Sequence, residues 1–536
     1  MHPLRAALLC GLLALGAAAP AAARTVNATP SDYKSKLGQL MPGDELVLAA
    51  GTYTQGLTID GLRGTAQAPI TIRGPASGAP AVIDARSCCN TVELIDSSYL
   101  VVRDLRLDGK DMAGIAAVSA KDGSNNLTHH ITIEGLEIVG HGGSQQTVAI
   151  STKTPTWGWV IRGNVIRAAG TGMYLGNSNG AEPFIGGLIE GNLIENPTGY
   201  CIQIKHQDAR PARPGMPTAP TTTILRHNVL IKDTRPSPDG ARPNLLLGGF
   251  PQSGDGKDDR YEVYGNLIVF NDRDSLIQAE GRVSIHDNVL VDVAGAAITL
   301  RDHNKTLELA HVYNNTIYAA GTGINFGSQA RQGHAVVGNL IFATEGIKGS
   351  VTTQSGNQTY AVSAASQHVT SPSKTLGQMD FYPLAGQAQG AALDLSAFSA
   401  DVDFDRDFNG SAKGARTTRG AYTGGAASNP GWKLATTRKP LPGAPPLPGD
   451  APIASGDGPV AGDSSTDAGA ADGSILPSDA RPGDDTHGAT AGADDGGCCS
   501  VGATTPPPAA LLLTLALIGV TLRRRTIRNR KANKPQ

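Results

Sequence analysis

Val160-Ile161-Arg162-Gly163-Asn164-Val165-Ile166, Leu188-Ile189-Glu190-Gly191-Asn192-Leu193-Ile194 and Ile224-Leu225-Arg226-His227-Asn228-Val229-Leu230 are one pattern written three times. Two short apolar runs flank a Gly-Asn or His-Asn corner. The pattern returns around Asn266, Asn288, Asn315 and Asn339, with spacings from Asn164 onward of 28, 36, 38, 22, 27 and 24. Degenerate copies precede it at 102–107 and 133–138. A period of 22 to 28 residues with longer gaps reads as one stacked unit carrying loop insertions. The strands are short and β-branched, and the 3.6-residue helical period is absent. The expected fold is all-β, a right-handed parallel β-helix. An Asn at such a corner can adopt the left-handed conformation. Its amide can also bond the matching Asn of the next coil, so these asparagines are read as structural.

A further strand follows each corner after a Gly-rich approach, as in Gly172-Met173-Tyr174-Leu175-Gly176 and Gly199-Tyr200-Cys201-Ile202-Gln203-Ile204-Lys205. Alternation turns Ile202 and Ile204 inward and Gln203 and Lys205 outward. The same register predicts an exposed column of Tyr174, Gln203, Gln278, Thr299 and Asn325. Beside it is expected a second column of Ser151, Gly176, Lys205, Gly248, Glu280, Arg301 and Gly327. Flat strand faces of this kind suit extended polymers. Insertions at 206–220, 234–243 and 252–260 explain the two long spacings and are expected to wall a groove. Arg210, Arg213, Arg235 and Arg242 would make that groove basic. Glu280 and Arg301 are spaced to pair across coils.

The 536 residues include 67 Gly and 34 Pro, with 45 basic against 47 acidic side chains and a net charge of -2. That balance excludes a global nucleic-acid footprint. Arg5, the apolar run 6–19 and Ala21-Ala22-Ala23 read as a signal peptide over residues 1–23. The β-helix is expected over 24–424. Residues 425–497, rich in Pro, Gly, Ala, Ser and Asp, read as a disordered stalk. Residues 498–536 hold Cys498-Cys499, an apolar run at 509–522 and an Arg cluster from Arg523. Fourteen apolar residues are short for a span of roughly 20. This tail resembles the myxobacterial sorting signal MYXO-CTERM, which implies a membrane segment, a sorting protease and display at the cell surface. Cys88, Cys89 and Cys201 remain in the body, an odd number that excludes a disulfide framework. Zinc, Walker-type and Ser-His-Asp motifs are not visible, and no cofactor or metal is expected.

The opening segment 40–53, Ala68-Pro69-Ile70-Thr71-Ile72-Arg73-Gly74, 98–105 and the closing Asp405-Arg406-Asp407-Phe408-Asn409-Gly410 resemble exported β-helix polysaccharide lyases of the chondroitinase B and alginate lyase type. The resemblance covers nearly all of 25–424. It implies that a Lys on an exposed strand serves as base, a position matched by Lys205, assisted by an Arg. Removing the proton beside a uronate carboxylate needs a base and positive charge to stabilise the enolate. Arg226-His227 looks like the family's Arg-His pair, yet Arg226 also fills the repeat slot two before the ladder Asn. Thr198 and Tyr200 stand where the family's calcium-binding acids would be. Gln203, His206, Arg242, Gln278, Glu280 and Arg301 are the expected substrate contacts, with Lys205 and Arg226 catalytic. The expected activity is β-elimination on an acidic polysaccharide by a monomeric, exported, surface-tethered protein. The alternative is a non-catalytic glycan-binding or adhesive module. A hydrolase built on paired carboxylates is weaker, because no exposed strand shows an Asp-Asp pair.

Overall fold

The computed structural model describes residues 23–443 except Asn126. The expected stalk and sorting tail, and nearly all of the expected signal peptide, lie outside the described residues. In the coil that starts at Val160, the strand Val160–Arg162 belongs to a first sheet, Val165–Arg167 to a second and Thr171–Leu175 to a third. The chain then begins the next coil at Leu188–Glu190. Neighbouring strands in all three sheets run parallel, each paired with its counterpart one coil away. The fold is a parallel β-helix.

Alternation places one row of aliphatic side chains inside. Ile72, Val102, Ile133, Ile161, Ile189, Leu225, Val263, Ile285, Val312 and Val336 stand in direct register along the first sheet. All are fully buried or nearly so. Burying such a side chain stabilises by about 1.5–3 kcal/mol, so a one-residue slip that turned the row outward would forfeit the core.

The corner works differently from the sequence expectation in one respect. The left-handed residue is the one before the ladder Asn: Gly163 (φ 62°), His227 (φ 55°), Asp287 (φ 52°) and Asn314 (φ 52°). The Asn itself is left free to bridge. Asn192 Nδ2 donates to Asn228 Oδ1 at 2.9 Å and to the Ile161 carbonyl at 2.9 Å, and Asn228 Oδ1 also accepts the Asn192 backbone N–H at 3.1 Å. The ladder runs unbroken from Asn164 through Asn339 and on to Asn357. Asn357 escaped the sequence pattern because its preceding strand Thr353–Ser355 is polar and exposed. These buried amides are satisfied on both ends, which lets them fix register without a desolvation penalty.

The short helix Tyr33–Leu37 covers the first coil, burying Tyr33 and Leu37. At the other end a hairpin, Val369–Ser371 with Asp380–Pro383, leads into a long return segment. Phe381, Tyr382, Phe408, Tyr422 and Leu434 pack on outward residues of the second sheet such as Val229, Leu267 and Val289. Leu393, Leu395 and Phe398 pack on Tyr313 and Val337 of the first sheet. This packing continues past Gly424, the expected end of the domain. Leu434 is buried, Arg438 donates to the Gly163 carbonyl, and Lys439 Nζ donates to Gly265 O at 2.7 Å while lying 3.3 Å from the Phe408 ring centroid. A polar composition disguised a segment that binds through backbone carbonyls and a cation-aromatic contact rather than through an apolar run.

Candidate functional site

Lys205 follows the third-sheet strand Ile202–Ile204, and the coil register fixes its neighbours. Its N–H donates to Leu175 O at 2.9 Å, and Gly248 N–H donates to Ile204 O at 2.8 Å. Glu280 and Arg301 continue the same rung pattern. The column therefore reads Gly176, Lys205, Gly248, Glu280, Arg301. Ser151 is absent from it: Ser151 registers with Tyr174 in the neighbouring column. Glycine on both sides of Lys205 has a steric cause at one of them. A Cβ on Gly248 would sit 2.1 Å from the His206 nitrogen, so nothing larger fits there. Lys205 thus stands between two buried glycines, with its Nζ 5.9 Å from the Tyr174 ring centroid.

His206 adjoins it, half-buried, with Nδ1 enclosed and without a hydrogen-bond partner. Burial lowers its pKa, and the charges of Lys205 and Lys305 lower it further. The imidazole is therefore neutral near pH 7. Lys305 arrives from the loop after Leu300 and pairs with Asp208 at 2.6 Å. Glu280 holds that loop: its carboxylate accepts the backbone N–H of Lys305 at 2.7 Å and of His303 at 3.2 Å. Burial pushes the Glu280 pKa up, against the opposing pull of backbone N–H donors and of Lys205. Glu280 is thus a buried loop clamp, not the exposed substrate contact expected from alternation.

Gln203 and Gln278 are likewise covered, at 4% and 9% exposure. They register on either side of Leu246, and in-register neighbours one strand spacing away shield each flank. Arg242 precedes the third-sheet strand Leu245–Leu247, at the strand end opposite Lys205, with its guanidinium 5.8 Å from the Tyr200 ring centroid. Its carbonyl accepts Lys232 Nζ at 2.8 Å. Arg301, half-buried, shares with Lys232 and Arg242 the electrostatic surroundings of Asp274, a carboxyl that burial shifts upward.

Arg226 is not brought to this face. It sits on the first sheet in register with Glu190 and Tyr264. Its guanidinium donates to Glu190 at 2.8 Å and to the Tyr264 hydroxyl at 2.9 Å. The repeat slot, not a catalytic pairing with Lys205, accounts for it. Two of the expected groove arginines are also occupied. Arg210 is buried against Asp259 and donates to Ala219 O at 3.0 Å, tying the 206–220 insertion to 252–260. Arg235 pairs with Asp233 at 2.7 Å. A pocket of about 400 Å³ lies within the first insertion, lined by Arg210, Arg213, Met216 and Asp255.

Sequence reasoning missed Lys305, His303 and Asp208 as members of this cluster. Lys305 lies 100 residues from Lys205 in a loop outside the repeat, so periodicity carried no signal for it. Among the described residues, no three His, Cys, Asp or Glu side chains converge so as to hold a metal ion. No helix among them is long and apolar enough to cross a membrane.

No protein-family model matches the chain, and no curated protein matches it. Among solved structures, the chain is similar to an alginate lyase from Paenibacillus sp. str. FPU-7, at 19% identity over 63% of this chain and 99% of that one, with a TM-score of 0.34. It is also similar to the pectate lyase Pel9A, at 13% identity over 78% and 96%, with a TM-score of 0.38. A third likeness is to the A-module of the mannuronan C-5 epimerase AlgE6 of Azotobacter vinelandii, at 16% identity over 59% and 91%, with a TM-score of 0.39.

Proposed function

We propose that the third-sheet face binds an acidic polysaccharide and cleaves it by β-elimination at Lys205. The observation that carries this reading is the grouping of Lys205, neutral His206 and Lys305 just past the ends of the third-sheet strands. A uronate carboxylate placed there meets two ammonium groups, which stabilise the enolate that forms when the adjacent C–H is lost. His206, kept neutral by burial and by those same cations, accepts the proton. This assigns Lys205 to charge stabilisation and moves the base to its neighbour, since an ammonium beside the Glu280 carboxylate is better placed to hold charge than to take a proton. The bond from the ring to the leaving glycosidic oxygen then breaks, a ring double bond forms, and the oxygen departs as a hydroxyl with a proton delivered by the His206 imidazolium or by water. Arg301, in the same column as Lys205, would bind a flanking acidic residue of the polymer.

The test is incubation of the purified protein with alginate, pectate and chondroitin while following the absorbance of unsaturated ends. Turnover of one of these that is lost in Lys205→Ala is expected. Binding without turnover in the wild type would instead favour a glycan-binding module. The reading also includes export through residues 1–23 and surface display through residues 498–536 after processing by a sorting protease. Cell fractionation with and without residues 498–536 tests it, with release into the medium expected on truncation.

A further inference from the structure

Cys88 and Cys89 lie in the turn between the second-sheet strand Ala81–Asp84 and the third-sheet strand Val92–Ile95. An antiparallel bridge between Arg86 and Cys89 closes that turn. The two sulfurs are 2.9 Å apart, Cys88 is exposed and Cys89 is buried. Neither belongs to the aliphatic core of the solenoid. The turn is anchored beside them by Asn90, whose Oδ1 accepts the Ala116 N–H at 3.0 Å. By contrast Cys201, the third cysteine of the described residues, is fully buried between third-sheet neighbours, and burial pushes its thiol up to about 12. One cysteine is therefore inert, and the other two form a pair whose first member is exposed.

We propose that Cys88 and Cys89 are a redox site that exchanges with small-molecule disulfides and closes into a vicinal disulfide. Exposure makes the Cys88 thiolate the attacking group. It displaces one thiolate from the small disulfide and becomes a mixed disulfide. The Cys89 sulfur, already alongside, attacks Cys88 and expels the second thiolate. The two protons given up by the cysteines end on the two released small thiols. The net change is one protein dithiol and one small disulfide converted to one ring and two small thiols. Consecutive Cα atoms stand only about 3.8 Å apart, less than the roughly 4.4–6.8 Å of ordinary disulfides. The ring is therefore strained and readily reduced, which makes it a labile pair rather than a structural staple.

The experiment treats the full-length protein with oxidised glutathione, alkylates it in denaturant without reductant, and maps the tryptic peptide 87–103. The expected peptide carries no label and is about 2 Da lighter than its dithiol form. Cys89→Ser should instead hold a stable glutathione adduct on Cys88. An excess of reduced glutathione should return the wild-type peptide to the doubly labelled form. Two labels after oxidation, a persistent glutathione adduct in the wild type, or a ring that survives reduced glutathione would each overturn the proposal.

Discussion

Arg226 opens the coil that follows the one carrying Lys205, and the two cations meet opposite fates. The first-sheet face around Arg226 is sealed by the C-terminal return segment. Arg226 is divided between Glu190 and Tyr264, Arg260 bonds Glu262 and Asp401, and Lys413 bonds Asp287 at 2.7 Å. Tyr264, His286, Tyr313 and Phe398 stack in one file, with successive centroids 4.8, 4.6 and 4.1 Å apart. The charged side chains there are paired, while His227 Nδ1, His286 Nε2 and Asp287 Oδ1 are enclosed without a hydrogen-bond partner. On the third-sheet face, glycines stand beside Lys205, and His206 keeps an enclosed nitrogen without a hydrogen-bond partner. Coils of one pattern thus supply two sheets that the return segment packs against and a third that carries Lys205, His206 and Lys305. The difference lies in which face the chain returns across.

The largest effect should come from breaking the sealed face. Lys413→Met strands Asp287, whose side chain is 2% exposed. Losing one partner of a buried pair costs about 3–5 kcal/mol, readable as a lower denaturation midpoint. Burial already raises the Asp287 pKa, so in the variant the carboxyl can take a proton when the solution is acidic. The loss should therefore be greater at pH 8 than at pH 5. An equal loss at both would mean that the pair is not desolvated.

Next is Lys205→Ala, expected to lower cleavage of the polyuronate by at least ~100-fold while leaving the denaturation midpoint in place. A matching drop in stability would put Lys205 in the structural class with Lys413. A smaller but more specific signal is the pH profile. His206 titrates below its ordinary value, so the acid limb of kcat/KM should fall below about pH 6.5. Activity is retained above that limb and lost as His206 gains its proton. His206→Gln should remove the limb along with most of the rate, and a limb unchanged in the variant would exclude His206 as the base. The smallest effect on activity is expected from Arg226→Met, within about 2-fold of wild type, with a stability loss below that of Lys413→Met because buried Glu190 keeps Arg162 at 3.5 Å. A collapse of activity without loss of stability would restore Arg226 to the site.

What was legible in the chain follows the same division. The Asn corners at 164, 192, 228, 266, 288, 315 and 339 declared the solenoid, because one residue type must recur wherever an amide ladder bridges coils. Lys205 was legible as an outward residue by alternation alone. Alternation reports which way a side chain leaves the strand but not what later covers it, so Gln203, Gln278 and Glu280 were read as exposed when neighbours and the 302–306 loop enclose them. The return segment was illegible for a related reason. Its anchors, Arg438 and Lys439, bond backbone carbonyls at Gly163 and Gly265, and backbone carbonyls have no sequence signature.

The most direct measurement is the absorbance of unsaturated ends from alginate, pectate or chondroitin with wild-type protein and with Lys205→Ala and Arg226→Met in parallel. The account predicts turnover of one acidic polymer by the wild type, near-wild-type turnover by Arg226→Met and loss in Lys205→Ala. No unsaturated product from any acidic polymer, or full activity in Lys205→Ala, would contradict it.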